Sequence, residues 1–60
     1  MKFTVIVKSQ ENKVIEVREF DSITEAASDI AQDYGCGRRE IMEQIKLNRL
    51  NATTSEVMTF

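Results

Sequence analysis

The chain has no histidine and no proline, and only one cysteine and two glycines. Each absence removes a class of chemistry. Without histidine, neither a Ser-His-acid triad, nor a Cys-His pair, nor a zinc set of the usual Cys and His kind can be assembled. One cysteine leaves no internal disulfide, which fits a reducing compartment. No proline-rich linker, internal repeat or low-complexity run divides the sequence, so residues 1–60 are expected to form a single domain. No segment approaches the roughly 20 apolar residues that span a bilayer. Met1-Lys2 leads straight into an alternating pattern without an apolar leader, so the protein is expected to be soluble and cytoplasmic, with no membrane role. Asn51-Ala52-Thr53 then reads as an accidental glycosylation sequon.

The chain is also short. A domain of this size buries only about 60% of its unfolded surface. No disulfide or metal supplements that core, so further burial has to come from a homodimer or a tight complex with another protein.

The clearest pattern runs from Ser22 to Leu50. Ser22-Ile23-Thr24-Glu25 has the form of a capping box, in which the Ser hydroxyl accepts from the free amide three residues on. Ile23, Ala26, Ala27, Ile30, Ala31 and Tyr34 follow at three-and-four spacing, which places them on one helical face. Gly35 supplies a left-handed stop. This stripe is rich in alanine, so another element should pack close to the helix axis. After Gly35-Cys36-Gly37 a second helix is predicted from about Arg38 to about Arg49, with Ile41, Met42 and Ile45 inward and Lys46 and Arg49 at its C-terminal end. So short a joint requires a corner or hairpin of helices.

Upstream, residues 3 to 8 and 14 to 20 are rich in Val, Ile, Phe and Thr, and the polar Ser9-Gln10-Glu11-Asn12-Lys13 between them predicts a β-hairpin. With Asn12 left-handed in a three-residue loop, Val7 would face Ile15 and Val5 would face Val17, with Phe3 on the same face. Lys2, Thr4, Ile6 and Lys8 would then share the other face with Val14, Glu16, Arg18 and Phe20, where Ile6, Val14 and Phe20 are candidates for a second buried surface. Phe20 is expected to fill the joint between hairpin and helices. The end Val57-Met58-Thr59-Phe60 is read as a short third strand at the sheet edge in preference to a frayed tail. The expected architecture is α+β: an N-terminal β-hairpin packed on two helices, ββαα, with that third strand.

A net charge of −2 conceals segregation. Residues 16 to 33 hold Glu16, Glu19, Asp21, Glu25, Asp29 and Asp33 against Arg18, six acids to one base and a net −5. Residues 36 to 50 hold Arg38, Arg39, Lys46 and Arg49 against Glu40 and Glu43, a net +2. On the first helix Glu25, Asp29 and Asp33 stand at successive i,i+4 steps. They form either a solvated acidic face or a ridge for a basic surface on a partner protein. Carboxylates on one helix with no second cluster to close the shell do not make a metal site.

Arg38 and Arg39 begin the second helix, where the backbone dipole disfavours cations. With Gly37 and its neighbouring amides they could converge on a phosphate or carboxylate; alternatively they project into water or pair with nearby acids. Cys36 reads as a small buried hydrophobe. The glycine spacing does not form a phosphate loop, and no lysine follows in the required place. No enzyme activity and no cofactor are therefore expected.

Ile30-Ala31-Gln32-Asp33-Tyr34-Gly35-Cys36-Gly37-Arg38-Arg39-Glu40-Ile41 resembles a helix-turn-helix, with Ala31, Gly35 and Ile41 at the packing positions. Phe20-Asp21-Ser22-Ile23-Thr24-Glu25-Ala26-Ala27 also looks like the opening of the small modular DNA-binding domains found beside phage homing endonucleases. By that resemblance Gly37, Arg38, Arg39, Met42 and Glu43 would start a recognition helix and Arg49 would lie near the DNA backbone. Two readings stand. The preferred one is a non-catalytic protein that binds and modulates a partner protein through Glu25, Asp29 and Asp33, as an inhibitor, antitoxin or adaptor of phage or mobile-element type. The alternative is a dimeric DNA-binding regulator acting through Gly37, Arg38, Arg39 and Arg49.

Overall fold

The computed structural model describes residues 2–58. The chain runs through β1 (Phe3–Lys8), β2 (Val14–Phe20), α1 (Ile23–Tyr34), α2 (Arg38–Leu47), β3 (Arg49–Asn51) and β4 (Thr54–Met58). The strands form one sheet in the order β2-β1-β4-β3. β1 is antiparallel to β2 and parallel to β4, and β3 is antiparallel to β4. The parallel pairing of β1 with β4 needs a long crossover, and the helical pair supplies it. The architecture is α+β, the ββαα arrangement followed by C-terminal strands.

The core forms where one sheet face meets one face of each helix. Phe3, Val5 and Val7 from β1, Phe20 from β2 and Val57 from β4 are buried against Ala26, Ala27, Ile30 and Ala31 of α1 and Ile41 and Ile45 of α2. Ile23, Tyr34, Cys36 and Met42 pack around them, partly buried. Burial of Ala26, Ala27 and Ala31 where larger side chains could stand brings α1 close to its neighbours.

Local chemistry sets the helix ends. Ser22 Oγ accepts from the Glu25 amide at 3.1 Å and starts α1. Gly35 takes φ 68° and ends it, with the Cys36 amide donating to the Ala31 carbonyl at 2.9 Å. α2 stops at Leu47, earlier than its charge pattern predicts. Arg49 belongs to β3, and Leu47 is 82% exposed.

Two further expectations are corrected. Asn12 is left-handed, at φ 65°, as the loop requires. The register beyond it nevertheless differs by one residue, because a bulge on β2 makes Val7 face Glu16 and Val5 face Arg18, while Ile6 faces Val17. Side chains alternate along a strand, so this shift exchanges the faces of β2. Glu16 and Arg18 lie on the helix side with Phe20, which joins the main core, and Val14 is 57% exposed in place of lining a second buried surface. The C-terminal strand also is not at the sheet edge. β4 lies inside the sheet between β1 and β3. Thr59 and Phe60, which the sequence assigns to that strand, lie outside the described residues.

β4 is fastened to α2 by two side chains. Ser55, fully buried, donates its hydroxyl to the Ile45 carbonyl at 2.8 Å. Gln44 Oε1 accepts from the Met58 amide at 2.7 Å. The last carbonyls of a helix have no partner within it, so Ser55 satisfies a buried acceptor that water cannot reach. Ser55→Ala is expected to cost about 1–3 kcal/mol, read as a lower urea midpoint at unchanged slope.

Candidate functional site: an acidic flank beside an open sheet edge

β2 forms one edge of the sheet, and α1 doubles back along it. Phe20 ends β2, Ser22 caps α1, and at the far end of the helix Tyr34 and Asp33 return to β2. Tyr34 donates its hydroxyl to Glu16 Oε2 at 2.6 Å. Arg18 bridges Glu16, through Nε, and Asp33, through Nη1. The register that placed two charged residues under the helix thus gives each of them partners.

The network fixes protonation states. The bond from Tyr34, and then the Arg18 guanidinium, hold the Glu16 carboxyl below its ordinary range. The same bond raises the Tyr34 hydroxyl above its ordinary value, with desolvation acting in the same direction. At the other end of β2, Lys2 Nζ lies 3.0 Å from Asp21 Oδ1; this pairing lowers the Asp21 carboxyl and raises the Lys2 ammonium.

The predicted acidic ridge is therefore divided. Asp33 is engaged by Arg18, whereas Asp29 and Glu25, one and two helical turns earlier on the same flank, are exposed and form no ion pair among the described residues. Beside them the sheet has an uncovered face. Both helices pack on the opposite side, and on this side Ile6 and Val17 face each other and Lys8 pairs with Glu56 at 2.8 Å. Val17 is 58% exposed, and Val14 and Met58 are open as well.

Of the residues predicted to hold an anion, Gly37, Arg38 and Arg39 stand together at the start of α2, and Arg49 lies apart from them. Arg38, Arg39, Met42, Glu43 and Lys46 line an open depression along the exposed face of α2. Arg49 instead lies on β3, with its guanidinium 5.9 Å from the centre of the Phe3 ring and a bond to the Ala52 carbonyl. Gly37 caps α2 without a side-chain bond, and the Glu40 carboxylate stands 4.0 Å from where a Gly37 Cβ would be. The helix start is thus already met by an acid of its own first turn. Ala31 and Ile41 are buried, and Gly35 forms the joint between the helices. Cys36 is half-buried with Sγ 3.6 Å from the Tyr34 carbonyl. No group of three or more potential ligands capable of holding a metal occurs among the described residues.

Sequence reasoning missed Glu16, Arg18 and Tyr34 as a unit. The signal was the adjacent Val14-Ile15, two apolar residues that break strict alternation and mark the bulge. The chain matches no protein-family model, no curated protein and no solved structure. No described helix is long and apolar enough to cross a membrane.

The paired shifts predict how stability varies with pH. Glu16 is lowered on folding, so its contribution is present above the unfolded carboxyl value near pH ~4.3 and is lost as pH falls through the folded value. Tyr34 is raised, so its contribution is present below about pH 10 and is lost as pH rises through the folded value. Tyr34→Phe should reduce both limbs of the stability profile, with Arg18 still lowering Glu16 and the Lys2–Asp21 pair supplying the rest at each end. Urea midpoints across both ranges check this.

Proposed function

We propose that the chain is a small non-catalytic binding protein that modulates a partner protein, an inhibitor, antitoxin or adaptor of phage or mobile-element type. The observation that carries this reading is the exposure of Glu25 and Asp29, without an ion pair among the described residues, on the flank of α1 next to a strand edge and an uncovered apolar sheet face. Charge of one sign on the rim steers a basic partner into encounter, and apolar area at the centre gives the complex its lifetime. Asp33 belongs to the flank but contributes less free charge, because Arg18 offsets it.

A second reading has its own support. Arg38, Arg39 and Lys46 share the exposed face of α2 and form no ion pair among the described residues, as a face laid against DNA phosphates requires. Arg49 does not join them. The acids of α1 lower the local potential, so this reading depends on a dimer that turns the α2 faces together and the α1 flanks apart.

The two readings separate in affinity capture from lysate, with and without nuclease. For the proposed function, one protein is retained in near-equal ratio after nuclease treatment. Glu25→Lys with Asp29→Lys should reduce its recovery by about tenfold or more, and Arg38→Ala with Arg39→Ala should leave recovery unchanged. A discrete DNA fragment that nuclease removes, sensitive to the arginines and not to the acids, would establish the second reading.

A further inference from the structure

The open edge of β2 has a defined polarity. The Thr4 amide donates to the Thr53 carbonyl at 2.8 Å, so the even-numbered residues of β1 turn their backbone toward β4 and the odd-numbered ones toward β2. Residues directly opposite in an antiparallel ladder either bond to each other or both turn away. Phe3, Val5 and Val7 therefore bond to Phe20, Arg18 and Glu16, and the N–H and C=O groups of Val17 and Glu19 point to the open side. No strand among the described residues pairs with the outer side of β2, so the outward groups of Val17 and Glu19 are a template for another strand.

The surroundings of that edge define what it accepts. A strand added about 4.8 Å beyond β2 would place alternate side chains on the helix side, beside Glu16 and below the acidic flank of α1, and the others beside Val17 on the uncovered face. The spacing also agrees. Acids four apart on a helix repeat every ~6 Å, and same-side residues on a strand repeat every ~6.8 Å. We propose that β2 is a docking edge for an extended segment of a partner protein in which Lys or Arg alternates with aliphatic residues, added as a fifth strand.

This rests on the acidic flank being the binding surface and specifies the partner by chemistry. A second copy of this chain fits less well. Antiparallel pairing about Val17 sets Glu16 opposite Arg18 of the other chain, but it also turns two flanks of Glu25, Asp29 and Asp33 toward each other. Charged side chains on an edge strand ordinarily protect it from further pairing. Here the protection is selective: neutral and acidic strands meet uncompensated carboxylates, and basic ones meet partners.

The test uses the full chain, isotope-labelled, with three capped peptides: alternating Lys-Val, the same composition in a Lys block and a Val block, and alternating Glu-Val. Alternating Lys-Val is expected to bind about tenfold or more tightly than either control, more weakly as salt rises, and to protect the Val17 and Glu19 amides from exchange. Val17→Pro removes an N–H that the sheet does not use and an edge strand tolerates it, with the fold checked by circular dichroism. It should weaken binding about tenfold, as should Glu25→Lys with Asp29→Lys.

Binding without protection of Val17 and Glu19, lost only on acid reversal, would overturn edge docking and leave the acidic-flank reading intact. Loss with Val17→Pro but not on acid reversal would overturn the basic partner class. Failure of all three peptides would sink the docking edge, while capture from lysate decides the flank independently. A dimer in sedimentation that Val17→Pro dissolves would assign the edge to a second copy and overturn the proposal. Should Val17→Pro unfold the chain, amide protection in the native protein still decides.

Discussion

The structure depends on a single interface, the contact of one face of the sheet with the alanine-lined face of α1 and the isoleucine-lined face of α2. Phe3, Val5, Val7 and Val57 meet Ala27, Ile30, Ile41 and Ile45 there, and nearly all buried apolar side chains belong to it. Sixty residues can enclose one such layer and not two. The far face of the sheet is consequently left to solvent, and so is the edge at β2. What could be a deficit in stability also leaves apolar surface uncovered, and any partner that binds the folded chain there adds directly to its stability.

Within that constraint, Glu16 and Arg18 are best understood as edge chemistry. Buried charges on a central strand would demand heavy desolvation, but at an edge under the end of α1 both stay partly hydrated while reaching Tyr34 and Asp33. The network joins the C-terminal turn of α1 to β2, where the apolar core is thinnest, since Phe20 is the only buried residue of that strand. Polar bonds here do what apolar burial does elsewhere in the sheet. They also determine how much of the acidic flank stays free: Arg18 offsets Asp33 and leaves Glu25 and Asp29 to any partner.

The sequence made the helical half legible because its signals are local. The Ser22 cap, the alanine stripe, the Gly35 stop and the Ile41–Ile45 pair all act over three or four residues, and all appear where expected. The sheet was legible in its elements and less so in its arrangement. One extra residue at the β2 bulge reversed the facing of every side chain from Glu16 to Phe20, because a strand has a period of two. The parallel pairing of β1 with β4 joins residues fifty apart in sequence, as Thr4 with Thr54, and no local pattern records it. β3 was hidden for another reason: Arg49 suits a helix C-terminus electrostatically, and the turn that diverts it depends on Asn51 Oδ1 accepting from the Thr53 amide at 2.9 Å.

The same distinction governs the candidate sites. Charge segregation was visible as composition, but which charges remain available depends on nonlocal neighbours. Asp33 and Arg49 both looked like members of a set and are engaged elsewhere, the first by Arg18 and the second by Phe3 and Ala52. Glu25 and Asp29 form no ion pair among the described residues, and Lys2, at the same end of the helix as Glu25, is paired with Asp21. A flank defined in this way is narrower than the ridge in the sequence.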